Sequence, residues 1–171
     1  MSDMRKYKCY ANKIKIFEGL SLDEVAEIVR HGDKIRFHAG QTIFHKGQLG
    51  STIFVVLKGM VNIENDGTTI AKCRKGDVFG EMSVLNHRPH YASAEAATDV
   101  RLFTIDNRQI SELLTKNVGS RFLLNIIQVL STHLERANTF IAQQSRAGGP
   151  GLAVPVGTGH QSQPARPPIP I

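Results

Sequence analysis

Three residues with chemical potential crowd into four positions of the chain: Gly80, Glu81 and Ser83, within Gly76-Asp77-Val78-Phe79-Gly80-Glu81-Met82-Ser83-Val84-Leu85. Gly76-Asp77 reads as a turn, and Gly80 permits close approach of the backbone to another group. Glu81 to Leu85 can form a single helical turn. The first N–H groups of such a turn have no partner within the helix and suit an anion. A carboxylate beside them is suited to accept hydrogen bonds from the hydroxyls of a sugar. The pattern is that of a phosphate site, although a glycine turn before a short helix also serves folds that bind nothing.

Other reactive groups form no pattern. His31, His38, His45, His87, His90, His133 and His160 are scattered, with no HxH pair and no HExxH helix. Cys9 and Cys73 make no CxxC, are too few for a disulfide scaffold, and fit a reducing compartment. No metal site, haem motif or required cofactor is expected. A nucleophile elbow, a P-loop and a Rossmann glycine fingerprint are all missing, so the expectation is a protein that is not an enzyme. The formal net charge of +6 is spread along 171 residues, which favours a solvated surface over a nucleic-acid interface. No apolar stretch reaches the ~20 residues of a membrane span, and the first seventeen residues lack the apolar core of a secretory leader. A cytoplasmic location follows as an expectation.

The elements that must position Gly80 and Glu81 can be read from periodicity. Ser21-Leu22-Asp23-Glu24 is a capping box, Leu20 and Val25 form a staple, and a helix should end near Gly32. From Asp33 to Ile105 the pattern changes to short β-rich runs: Ile35/Phe37, Ile43, 53–57, Val61/Ile63, Ile70 and Val100/Leu102/Phe103. Glycines punctuate them, and Asp66-Gly67 sits at a hairpin turn. Many short strands predict an antiparallel sandwich or barrel. Asp106, with Gln109 three residues on, should cap a short helix through Thr115, and a long helix should run from Val118 to Gln144. On that helix Leu123, Ile127, Leu130, Leu134, Ala137 and Ile141 form a heptad seam, beside a second stripe of Phe122, Ile126, Val129, His133 and Phe140. Either one stripe packs on the barrel while the other meets a partner helix, or they form one broad face packed on the same chain. The last 27 residues, 145–171, hold six of the seven prolines and five of the fifteen glycines and read as a disordered tail. Pro164-Ala165-Arg166-Pro167 within it is a PxxP pattern.

Three runs together resemble a known family: Gly40-Gln41-Thr42-Ile43-Phe44-His45-Lys46-Gly47, Ile53 to Val61, and Gly76 to Met82. They look like the cyclic nucleotide-binding domain of the catabolite activator protein, the protein kinase A regulatory subunits and cyclic-nucleotide-gated channels. The resemblance spans about residues 14–143. It implies a mainly β fold with flanking helices: an antiparallel double-sheet jelly-roll β-roll, an N-terminal helix, a short cassette helix and a long C-terminal helix. The expected layout is an arm (1–13), the domain (14–144) and the tail (145–171). The resemblance also implies a phosphate-binding cassette for cAMP or cGMP, with Glu81 accepting the ribose 2′-hydroxyl and backbone amides around Gly80 to Ser83, and that of Ala92, facing the phosphodiester. Phe79, Gly80, Glu81, Met82, Ser83, Arg88, His90, Tyr91 and Ala92 are the expected ligand-binding residues.

One departure stands out. Aligned on Pro89 and Ala92, His90 occupies the place of the family's phosphate-pairing arginine, and Tyr91 that of a Ser/Thr linked to cGMP preference. Arginine is a permanent cation, whereas histidine is mostly neutral near pH 7. Losing one charge-assisted hydrogen bond costs ~1.5–3 kcal/mol, roughly ten- to a hundredfold in affinity. Two readings follow. One is a regulatory sensor that binds a cyclic nucleotide, cAMP in preference to cGMP, and signals through its C-terminal helix. The other is a degenerate module serving dimerisation or protein interaction. Both expect a homodimer through the 118–144 helix, an unidentified protein partner, and no direct DNA or membrane binding.

Overall fold

The fold is described from a computed structural model, covering residues 2–147 and the side chains of 7–143. The chain divides into two compact units, Met1–His133 and Leu134–Ile171. The first holds two four-stranded antiparallel sheets. Sheet A has the order β1(Asp33–Phe37), β8(Val100–Asp106), β3(Thr52–Lys58), β6(Val78–Phe79). Sheet B has the order β2(Thr42–Phe44), β7(Ser93–Ala96), β4(Met60–Asn65), β5(Thr68–Arg74). The expected double-sheet β-roll with flanking helices is the observed fold.

The continuous apolar run of β3 has a direct cause. Phe54 and Val56 face sheet B, in a core shared with Phe44, Val61, Ile63, Phe79 and Leu102. Ile53 and Val55 face the other way, into a core built with Phe103, Ile105 and the helices. A strand buried on both faces cannot alternate apolar with polar residues. β4, in contrast, alternates buried Val61 and Ile63 with half-buried Asn62. The hairpin between β4 and β5 turns at Asp66 and Gly67, with φ of 49° and 77°, the two positive values a tight two-residue turn needs.

Helix α1 spans Ser2–Lys13, so the N-terminal arm is helical, and a short 3₁₀ turn, Lys15–Phe17, follows it. Helix α2 spans Leu22–His31 and begins with the expected reciprocal capping box of Ser21 and Glu24. Helix α3 spans Glu81–Asn86, where a short helix is expected. Helix α4, Asn107–Leu114, starts with a second reciprocal box of Asp106 and Gln109. Helix α5 spans Gly119–Ala147, three residues beyond the expected end. The remaining tail, with its PxxP pattern, lies outside the described residues.

The stripes of α5 separate. Phe122, Ile126 and Val129 are buried in the helix-side core. Leu123, Ile127, Leu134 and Ile141 of the seam are exposed, while Leu130 packs partly against the core. Asn125 fixes the start of the helix: its Nδ2 donates to the carbonyls of Ile16 (3.1 Å) and Glu18 (2.9 Å). Ile16 is buried, and its carbonyl would otherwise face an apolar interior with no donor.

Candidate functional site

Helix α3 is anchored from both sides. Ahead of α3, Gly80 has φ of 81°, and a Cβ there would lie 2.9 Å from both the Phe54 ring and the Thr52 carbonyl oxygen. Glycine therefore meets two demands at once, a left-handed backbone and contact with β3. Behind α3, His87 caps the helix in the left-handed region and Arg88 N–H donates to the Ser83 carbonyl at 3.2 Å. His90 is then stitched to the β2–β3 loop. Its N–H donates to the Gln48 carbonyl at 2.9 Å, and its own carbonyl accepts from Gly47 at 2.8 Å.

This frame distributes the nine expected site residues unevenly. Phe79, Glu81, Ser83, His90 and Ala92 are buried, whereas Met82, Arg88 and Tyr91 are exposed. Gly80 shapes the entry to the helix. The side chain of His90 is directed into the roll. Its ring stacks on Phe44 with centroids 3.7 Å apart and planes within 8°, at the edge of a cluster with Phe54 and Phe79. His90 Nδ1 shares a 2.8 Å hydrogen bond with Ser83 Oγ. Gly50 makes room for the ring, since a Cβ there would fall 2.5 Å from His90 Nε2. Burial holds the imidazole below its ordinary pKa of 6.5, so it is neutral near pH 7. The position expected to carry a phosphate partner thus carries an uncharged core residue.

Glu81 has a partner that sequence reasoning missed. His133 of α5 donates from Nδ1 to Glu81 Oε1 at 3.0 Å. The Glu81 side chain is 4% exposed and that of His133 33%. One signal was available: His133 continues the stripe of Phe122, Ile126 and Val129, and a polar residue at the end of an apolar stripe needs a polar counterpart. Among the described residues, no group of three or more His, Cys, Asp or Glu could hold a metal ion, and no helix is long and apolar enough to cross a membrane.

Comparison with known proteins places this fold in context. Residues 34–117 match the family model of the cyclic nucleotide-binding domain. The chain is 33% identical over 112 residues to the cGMP-dependent protein kinase egl-4 of Caenorhabditis briggsae, spanning 66% of this chain and 15% of the kinase. It is 25% identical over 141 residues to the CRP-like cAMP-activated global transcriptional regulator of Mycobacterium tuberculosis, spanning 80% of this chain and 62% of the regulator. It therefore covers less than two thirds of either relative. Among solved structures, the Thermus thermophilus catabolite activator protein superposes with a TM-score of 0.68 at 26% identity, over 77% of this chain and 63% of that one. A cyclic nucleotide-binding domain from Methylobacillus flagellatus superposes with a TM-score of 0.75, over 83% and 85% of the two chains, and its 23% identity speaks to the fold alone.

Proposed function

Through residues 34–117 this chain belongs to the cyclic nucleotide-binding domain family, and we propose that it is a non-catalytic sensor that binds cAMP in preference to cGMP and signals through α5. The observation that carries the reading is Glu81, a buried carboxylate at the first position of the cassette helix, behind a left-handed Gly80. In this reading the carboxylate accepts the ribose 2′-hydroxyl. Backbone amides of α3 and of Ala92 face the phosphodiester, and Arg88 supplies the cationic arm that His90 does not. Phe79 supports the floor of the pocket, and Met82 and Tyr91 border its mouth.

Calorimetry with cAMP, cGMP and 2′-deoxy-cAMP tests this. Wild-type protein should bind cAMP more tightly than cGMP. Removing the 2′-hydroxyl should weaken binding by about tenfold, the value of one hydrogen bond to a charged group. Glu81→Ala should erase the difference between cAMP and its 2′-deoxy analogue. An unchanged difference in Glu81→Ala would remove Glu81 from the site.

A second reading has its own support in the neutral, stacked His90. A cassette whose phosphate arginine has become part of the core fits a module kept for packing and for self-association through the exposed seam of α5. This reading takes first place if wild-type protein and His90→Arg both fail to bind either nucleotide at millimolar concentration.

A further inference from the structure

The Glu81–His133 pair joins two elements that the chain separates by 52 residues, and it does so at the carboxylate that the sensor reading assigns to the ribose. Two features make the contact more than a surface ion pair. Glu81 is almost completely covered, so no ligand hydroxyl can reach it while its neighbours keep these positions. His133 is the half-exposed member of the pair, and so the one that can leave at small cost. The stripe that attaches α5 to the roll also changes character at this residue. Phe122, Ile126 and Val129 are buried apolar anchors, held by contacts no small polar ligand can replace. His133 lies one turn further on and is held by a hydrogen bond that a hydroxyl can replace.

We propose that His133 is a latch on the sugar site: paired with Glu81 it covers the carboxylate and fastens its own turn of α5, and a cyclic nucleotide gains the carboxylate by displacing it. This rests on the sensor reading and adds how binding would reach the helix. The 2′-hydroxyl takes over the bond that His133 gives up, so the carboxylate is never left buried without a donor. The turn carrying His133 is released, while the helix stays attached through Val129. The opposite arrangement, in which His133 steadies Glu81 for the ligand and remains in place, predicts the opposite sign for its removal.

Two measurements on the full chain decide between them. The first is calorimetry with cAMP. His133→Ala should bind roughly three- to tenfold more tightly than wild type. That is less than the full value of a charge-assisted hydrogen bond, because the freed imidazole regains water. His133→Gln retains a donor and should stay near wild type. The second measurement needs no nucleotide. Hydrogen exchange of α5 amides around residues 130–133 should rise several-fold in His133→Ala and in Glu81→Ala. It should rise no further in the double variant, with the β3 and β8 amides unchanged. Weaker cAMP binding by His133→Ala, or exchange unaffected by both single substitutions, overturns the latch. If neither wild type nor His133→Ala binds millimolar cAMP while exchange responds as described, the sensor reading fails and with it the displacement step. His133 would then be a fixed clamp on the helix.

Discussion

His90 holds the largest difference between what its residue type suggests and what its surroundings allow. The resemblance expects it to stand for an arginine, yet its ring lies against Phe44 with Nδ1 on Ser83. Burial lowers its folded-state pKa below 6.5. Below that pH the unfolded chain binds a proton that the folded chain resists. The stabilising contribution is therefore complete above ~6.5 and is lost as pH falls toward the folded-state value. His90→Gln cannot titrate but can still bond Ser83. Its melting temperature should fall less than that of wild type between pH 6.5 and 5, and parallel curves would show that the burial has no energetic weight. His90→Arg makes a separate point. A guanidinium cannot occupy the slot between Phe44 and Gly50 without burying an unpaired charge. It should turn outward and tighten cAMP binding by roughly ten- to a hundredfold, while the emptied slot lowers the melting temperature. Combining it with Tyr91→Ser, checked by the same calorimetry, removes the bulk at the mouth.

Among the elements, α3 and α5 depend on a few fixed points. Gly80→Ala adds a Cβ 2.9 Å from Thr52 O and the Phe54 ring, at a φ of 81°. Strain of this kind costs about 1–3 kcal/mol. It should appear as a lower urea midpoint together with loss of nucleotide binding, since α3 cannot start in the same place. The start of α5 is held by Asn125. Asn125→Leu keeps the volume but leaves the Ile16 and Glu18 carbonyls without their donor, a penalty of roughly 1–3 kcal/mol in equilibrium unfolding. A change within a few tenths would mean that water replaces the amide there. The capping boxes at Ser21 and Asp106 add smaller amounts. In the first, the Ser21 backbone N–H is the leading cause holding the Glu24 carboxyl below its ordinary range.

For the molecule as a whole, the open question is association. The seam residues Leu123, Ile127, Leu134 and Ile141 are exposed on α5, while Phe122, Ile126 and Val129 of the neighbouring stripe are used in the core and Phe140 is exposed. A parallel pair of α5 helices would bury that seam in a symmetric dimer. Ile127 is the better probe of this proposal than Leu130, because Leu130 also packs on the core of its own chain. Ile127→Glu should convert a sedimenting dimer to a monomer and leave the melting curve of the roll in place. A wild-type protein that sediments as a monomer at high concentration ends the dimer proposal.

What the sequence determined by itself is what neighbouring residues decide together. Both capping boxes, the Asp66-Gly67 turn, helices α2 and α4, the long α5 and the doubly buried β3 are legible because their causes lie within a few positions of one another. The short strands β6 and β7 escaped notice: Val78–Phe79 is two residues long, and β7 turns Ala94 and Ala96 inward, which carries little β signal. The glycine spacing also marked the start of α3, because Gly80 answers to the strand it touches. The direction of the His90 ring needed the tertiary structure, since Phe44, Gly50 and Ser83 come from three separate segments. So did the partner of Glu81. A carboxylate with a nearby glycine reads as a ligand site in one dimension, and only the folding of α5 against the roll brings His133 to within 3.0 Å of it. Local sequence fixes backbone geometry, but the burial and pairing of a polar group depend on distant segments arriving in the same place.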